Sequence, residues 1–134
     1  MVSKTANLSK LTKYVSRDSL TDKELKDLLY QVGFRGNDLK EAWAVAKKES
    51  HGRPYAFNKN GKTGDKSYGI FQINMIRDLG PDRIKKFGLS DNQDLFNPVI
   101  NAQVAFWMSN GGENWSAWHG ITAKTKMWIK KFPL

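Results

Sequence analysis

The sequence predicts a mainly helical α+β domain, on three observations. Apolar residues recur at three- and four-residue intervals in several separate segments, and Gly or Pro punctuates each of them. A single stretch rich in Asn, Gly and Lys, residues 55–65, interrupts the helical pattern as a hairpin or loop. A length of 134 residues suits one domain, and five Trp, seven Phe and four Tyr supply the apolar surface for its core.

Residues 1–19 are rich in Ser, Thr and Lys and read as a polar arm or linker, ahead of a domain over residues 20–134. Thr21 precedes Glu24 at the spacing of a capping box; Leu25, Leu28, Leu29 and Val32 then follow at helical intervals until Gly33 stops the turn. Asn37 or Asp38 is the expected N-cap of the next helix, whose buried stripe is Leu39, Ala42, Trp43 and Ala46. That helix ends at "SHGRP", where Gly52 can take a left-handed cap and Pro54 forbids continuation.

Asn60-Gly61 is the strongest turn signal in the chain, and "SYGIFQIN" after it reads as a short extended segment. Gly80-Pro81 opens the short helix "PDRIKKF", closed by Gly88. Asn97-Pro98 starts the helix "PVINAQVAFWMSN", which Asn110 to Gly112 ends. After "NWSAW" a last amphipathic turn runs from Thr125 to Lys131.

Composition narrows the chemistry. Without cysteine there are no disulfides, thiolate metal sites or cysteine nucleophiles, and two histidines without metal-binding spacing predict neither a metal nor another cofactor. No G-x-S-x-G occurs, and Ser67 lacks the flanking glycines of a nucleophile elbow. The apolar runs "AWAVA" and "VAFWM" are too short to span a bilayer, and the first twenty residues contain no apolar core of a signal peptide. A formal charge of +9 attracts polyanions: nucleic acid, anionic lipid or an anionic wall polymer. The lysines are spread along the chain without zinc-finger spacing or an RNP-like aromatic motif, so nucleic acid is not the expected partner.

Glu49 lies three residues beyond Ala46 on the buried stripe, at the C-terminal end of its helix. Desolvation and the negative end of the helix dipole both disfavour its anion there, and a general acid working near neutral pH needs a raised pKa of this kind. The same residue also reads as a helix-terminal carboxylate paired with His51, Arg53 or a lysine.

"AVAKKESHGRPYAFN", then "SYGIFQIN", then "FNPVINAQVAFWMSNGGENWSAW" resemble, in that order, the lysozyme-like superfamily, in particular its lytic transglycosylase (SLT-type) and phage or actinobacterial muramidase branches. In those families a Glu-Ser pair ends a buried helix, a Gly-(Leu/Ile)-x-Gln element follows a polar loop, and an Asn-Pro-x-x-Asn-x-x-x-Ala helix leads to a Trp-rich close. The match runs roughly from Leu25 to His119. It implies a helical lobe and a small hairpin or loop lobe flanking a cleft, with Glu49 as the catalytic acid/base. Ser50 and the backbone from Gly69 to Gln72 would shape that cleft, and Tyr68 and Gln72 would face the sugar chain.

Animal-type lysozymes carry a second acid immediately before the corresponding Tyr-Gly, where this chain has Ser67. Asp65, two residues earlier, reads either as the base of an inverting hydrolase or as a loop-capping aspartate. Without it, Glu49 would serve twice, as in lytic transglycosylases, and Ser67 looks like the serine those enzymes keep beside their Gly-x-x-Gln element. Tyr55 and Trp115 occur in loop-like settings where an aromatic ring can stack on a pyranose; Trp115 reads equally as core.

The resemblance therefore implies an enzyme, expected to act as a monomer, that cleaves the MurNAc-GlcNAc backbone of peptidoglycan strands at the bacterial cell wall. The absence of a signal peptide fits a phage protein, tail-associated or released by a holin. The competing reading is a cell-wall glycan-binding module of the same fold without turnover.

Overall fold

The computed structural model describes residues 11–62 and 64–134. The first helix, α1 (Asp22–Val32), begins where its capping box lies. Thr21 Oγ1 accepts from the Glu24 backbone N–H at 3.1 Å, and the Glu24 carboxylate accepts from the Thr21 N–H at 2.9 Å. Leu25, Leu28, Leu29 and Val32 are buried, and Gly33 ends the helix at φ 137°.

Helix α2 (Gly36–Ser50) starts earlier than the sequence suggests. Arg35 takes the N-cap position without a side-chain bond, and Asn37 and Asp38 fall inside the first turn. Its C-cap is His51 rather than Gly52, with φ 57° and its N–H bonded to Lys47 O. The predicted single stripe is also too narrow: Ala42, Trp43, Ala44, Val45 and Ala46 are all fully buried. A helix apolar on every side belongs in the middle of a core. Here α2 is packed by α1 and by the last helix, α5 (Ala123–Ile129), whose Trp128 meets Trp43 edge-on at 6.3 Å. Trp43 Nε1 donates to Asp22 O at 3.0 Å, so the central ring is buried with its polar atom satisfied.

After α2 come three short antiparallel strands, β1 (Phe57–Lys59), β2 (Lys66–Tyr68) and β3 (Ile73–Asn74), in the order β1-β2-β3. Asn60 and Asp65 close the β1-β2 hairpin through Asn60 N–H to Asp65 O at 2.9 Å. Helices α3 (Leu79–Phe87) and α4 (Pro98–Met108) follow. Asn97 Oδ1 accepts from the Val99 and Ile100 N–H groups, and Pro98 occupies the first turn, where its missing donor is harmless. The fold is thus mainly helical with one small sheet, as the sequence predicts.

The first ten residues of the expected arm over 1–19 lie outside the described residues. From Leu11 onward the chain packs onto the domain. Leu11, Tyr14 and Leu20 are buried, Tyr14 Oη donates to Asp27 Oδ2 at 2.6 Å, and the Arg17 guanidinium grips both Glu24 oxygens at 2.7 and 2.8 Å. Composition hides this because the anchors are few and irregularly spaced. Among the described residues no helix is long and apolar enough to cross a membrane.

Candidate active site

The C-terminal end of α2 and the three-stranded sheet face each other across a cleft. Two cavities occupy it and meet at Glu49 and Asn58. The first, of about 490 Å³, is lined by Glu49, Asn58, Lys59, Asn60, Gly61, Asp65, Ser67 and Gln72. The second, of about 390 Å³, adds Asp18, Arg53, Tyr55, Ala56 and Phe57.

Glu49 is held by its own helix at the rim of the core, its side chain 22% exposed. Of the partners the sequence offered, the structure supplies a lysine: Lys48 Nζ lies 3.0 Å from Glu49 Oε2 and donates to Trp118 O at 3.1 Å. The Lys48 side chain is only 11% exposed, and its ammonium bridges the carboxylate to the turn at Ser116–Trp118 and limits the side chain's freedom.

The sheet sorts the opposite wall by alternation. Asn58 pairs across the hairpin with Ser67, and both line the first cavity. The neighbouring pair, Phe57 and Tyr68, packs its rings with centroids 5.0 Å apart and planes tilted by 56°. Phe57 reaches the second Glu49 cavity, whereas Tyr68 is buried against Phe57 and Phe96 on a different cavity with Asp91 and Asn92. It does not line the Glu49 cavities. Ser67 does, and its hydroxyl has no hydrogen-bond partner among the described residues.

Gln72 sits at φ 50°, a conformation uncommon outside glycine, and its side chain explains how it stays there. Nε2 donates to Ala56 O at 3.1 Å and Gly69 O at 2.9 Å, while Oε1 accepts from Asn58 Nδ2 at 2.7 Å. Both amide hydrogens are thereby committed to the backbone, so Gln72 chiefly fixes the wall and aligns Asn58. Asp65 lines the same cavity as Glu49 and accepts from Asn74 Nδ2 at 3.1 Å. Asn74 Oδ1 in turn accepts from the Lys66 and Ile76 N–H groups, and the Arg83 guanidinium donates to Asn74 O. Burial holds the Arg83 pKa below its usual range.

Ser50 and Trp115 lie inside the protein. Ser50 is 1% exposed; its hydroxyl donates to Ala46 O and accepts from Gly52 N–H, sealing the helix end rather than reaching a ligand. Trp115 is 4% exposed, packed in a triangle of rings with Phe34 at 6.0 Å and Phe71 at 6.1 Å, and lines neither Glu49 cavity. The apolar cluster below the cleft outcompetes solvent for its ring. Tyr55 is half exposed and does line the second cavity.

Asn101 holds the hairpin-side turn to the helical lobe. Fully buried on α4, it donates to Tyr68 O at 2.8 Å and Leu95 O at 2.9 Å and accepts from Phe71 N–H at 2.9 Å. Beside it Gly69 adopts φ 78°, and a Cβ there would fall 2.3 Å from Asn101 Nδ2 and Leu95 O. Sequence reading missed Asp18, Arg53, Phe57 and Asn58 as cleft residues. For Asn58 the hairpin register carried the signal; Asp18 reaches the cleft only through packing of the segment before α1.

Among the described residues no three His, Cys, Asp or Glu side chains cluster to hold a metal ion. The cleft instead joins one glutamate with amides, a hydroxyl, two aspartates, an arginine and exposed aromatics, groups suited to a polyhydroxylated chain. Residues 26–120 match a family model described as a lysozyme-like domain. Comparison with curated proteins gives no match.

Proposed function

The chain belongs to the lysozyme-like domain family, and from that premise we infer that it cleaves peptidoglycan strands at the β-1,4 bond between MurNAc and GlcNAc, with Glu49 as general acid and base. The family is one of glycosidases and transglycosylases acting on peptidoglycan. The observation that carries the reading is the position of Glu49 where the two cavities meet, so that a strand laid along the cleft passes its carboxyl group.

Protonated Glu49 donates to the glycosidic oxygen as the bond from that oxygen to the anomeric carbon breaks. The resulting carboxylate faces the positive charge developing on the sugar. It then takes the proton of a hydroxyl of the same sugar as that oxygen closes on the anomeric carbon, leaving an anhydro end and consuming no water. Ser67, with its unpartnered hydroxyl in the first cavity, is suited to orient the attacking hydroxyl. A second reading has a specific support: Asp65 shares the first cavity with Glu49, so a water activated by Asp65 would give inverting hydrolysis.

Glu49→Gln tests the reading. It keeps the size of the side chain and removes its acid, so wall suspensions should stop clearing by a factor of about a hundred or more while the unfolding curve stays in place. Undiminished clearing by a folded Glu49→Gln protein would refute the assignment, and binding of walls without soluble product by the wild type would favour a non-catalytic module.

A further inference from the structure

The second cavity contains a pair of opposite charges that the cleavage chemistry does not use. Asp18 and Arg53 both line it, with the exposed rings of Tyr55 and Phe57 beside them and Glu49 at its edge. They form no ion pair with each other, and the Asp18 carboxylate has no partner among the described residues. Arg53 donates Nε to Ser50 O at 3.0 Å, which fixes the guanidinium and leaves its two terminal nitrogens available.

The backbone around Asp18 is also anchored. Next to it the Arg17 guanidinium grips Glu24, and two residues on Leu20 N–H donates to Gly52 O at 3.0 Å, tying the segment before α1 to the end of α2. The two charges thus stand on anchored backbone on the same cavity. An uncharged sugar needs neither charge; a group bearing both a carboxylate and an amine matches both.

We propose that this cavity is a subsite for the stem peptide of the glycan strand, with Arg53 taking a peptide carboxylate, Asp18 a free amine, and Tyr55 and Phe57 the apolar parts between. The proposal rests on the peptidoglycan reading above and refines it. The peptide-bearing sugar would lie on the Arg53 side of Glu49, which sets the direction of the strand across the cleft.

The test measures binding, by calorimetry or NMR titration, of two soluble probes to the intact protein. One is a GlcNAc-MurNAc disaccharide carrying a stem tripeptide with a free side-chain amine; the other is the same disaccharide with its lactyl carboxyl capped as a simple amide in place of the peptide. Wild type should bind the peptide-bearing probe about tenfold tighter. Arg53→Gln and Asp18→Asn should each reduce that preference about threefold or more. Amidating the peptide carboxylates should add nothing to the Arg53→Gln loss, and acetylating the amine nothing to the Asp18→Asn loss. Equal affinity of wild type for both probes would overturn the subsite, as would substitutions that weaken both probes alike.

Cleavage of peptide-stripped glycan strands is followed separately. No cleavage with the peptide preference intact would overturn the reaction and keep the subsite. Cleavage without any peptide preference would overturn the subsite alone.

Discussion

Asn101→Ala is the substitution whose consequence can be worked most directly from the structure. It removes three buried hydrogen bonds at once, from Nδ2 to Tyr68 O and Leu95 O and from Phe71 N–H to Oδ1. None of those backbone groups gains access to water by simple truncation, because Asn101 and Phe71 are fully buried. At about 1–1.5 kcal/mol per bond, with a small cavity added, the loss is about 3–5 kcal/mol. A domain of this size is stable by roughly 5–15 kcal/mol, so the variant should fold with a much reduced margin. Urea unfolding followed by Trp fluorescence should show the midpoint falling by about 2 M at an unchanged slope. Asn101→Asp should be at least as damaging at neutral pH, since it sets a carboxylate oxygen against two carbonyls. A loss below about 1 kcal/mol for Asn101→Ala would refute the claim that this side chain joins the hairpin turn to the helical lobe.

Gly69→Ala should cost about as much by a different route, because its Cβ meets Leu95 O and Asn101 Nδ2 at 2.3 Å and φ is 78°; calorimetry should show the melting temperature falling by about 10 °C or more. Glu41→Gln acts in the other direction. Burial first, and then the Asp38 charge, raise the Glu41 carboxyl pKa. The folded protein therefore holds that proton more tightly than the unfolded chain, and ionisation of Glu41 destabilises the fold above the ordinary glutamate range. Glu41→Gln should stabilise by about 0.5 kcal/mol or less at pH 7, a figure discounted for solvent screening. That gain should vanish as the pH falls below about 4; a gain persisting undiminished at low pH would contradict the assigned cause.

Features governed by neighbours in sequence were legible. The Thr21-Glu24 box, the stops at Gly33 and Gly88, and the Asn97-Pro98 start need only a few consecutive residues, and each occurs where it is predicted. The Asn60-Gly61 signal likewise marks the hairpin. What resisted reading depends on packing from several directions. The run "AWAVA" is buried on every side because α1 and α5 both cover α2, and a single stripe could not reveal that.

The cleft divides in the same way. Glu49, Asp65, Ser67 and Gln72 come together on one cavity, whereas Ser50, Tyr68 and Trp115 turn into the protein. A serine, a tyrosine and a tryptophan serve a core as readily as a ligand, and only the helix end, the strand alternation and the ring stack decide. The second Asn of the Asn-Pro-x-x-Asn pattern was visible as a pattern only. Its work, as Asn101, involves Tyr68, Phe71 and Leu95, partners distant or non-adjacent in sequence.

The most direct measurement is the mass spectrum of soluble fragments released from purified bacterial walls by the wild-type protein and by Glu49→Gln. With Glu49 acting as both acid and base, the wild type should release glycan fragments whose cleaved MurNAc ends lack one water, and Glu49→Gln should release none. Fragments ending in free reducing sugars would transfer the second step to water and to Asp65. Fragments with intact glycan strands and newly opened peptide bonds, or the same glycan products from both proteins, would rule out glycosidic cleavage by Glu49.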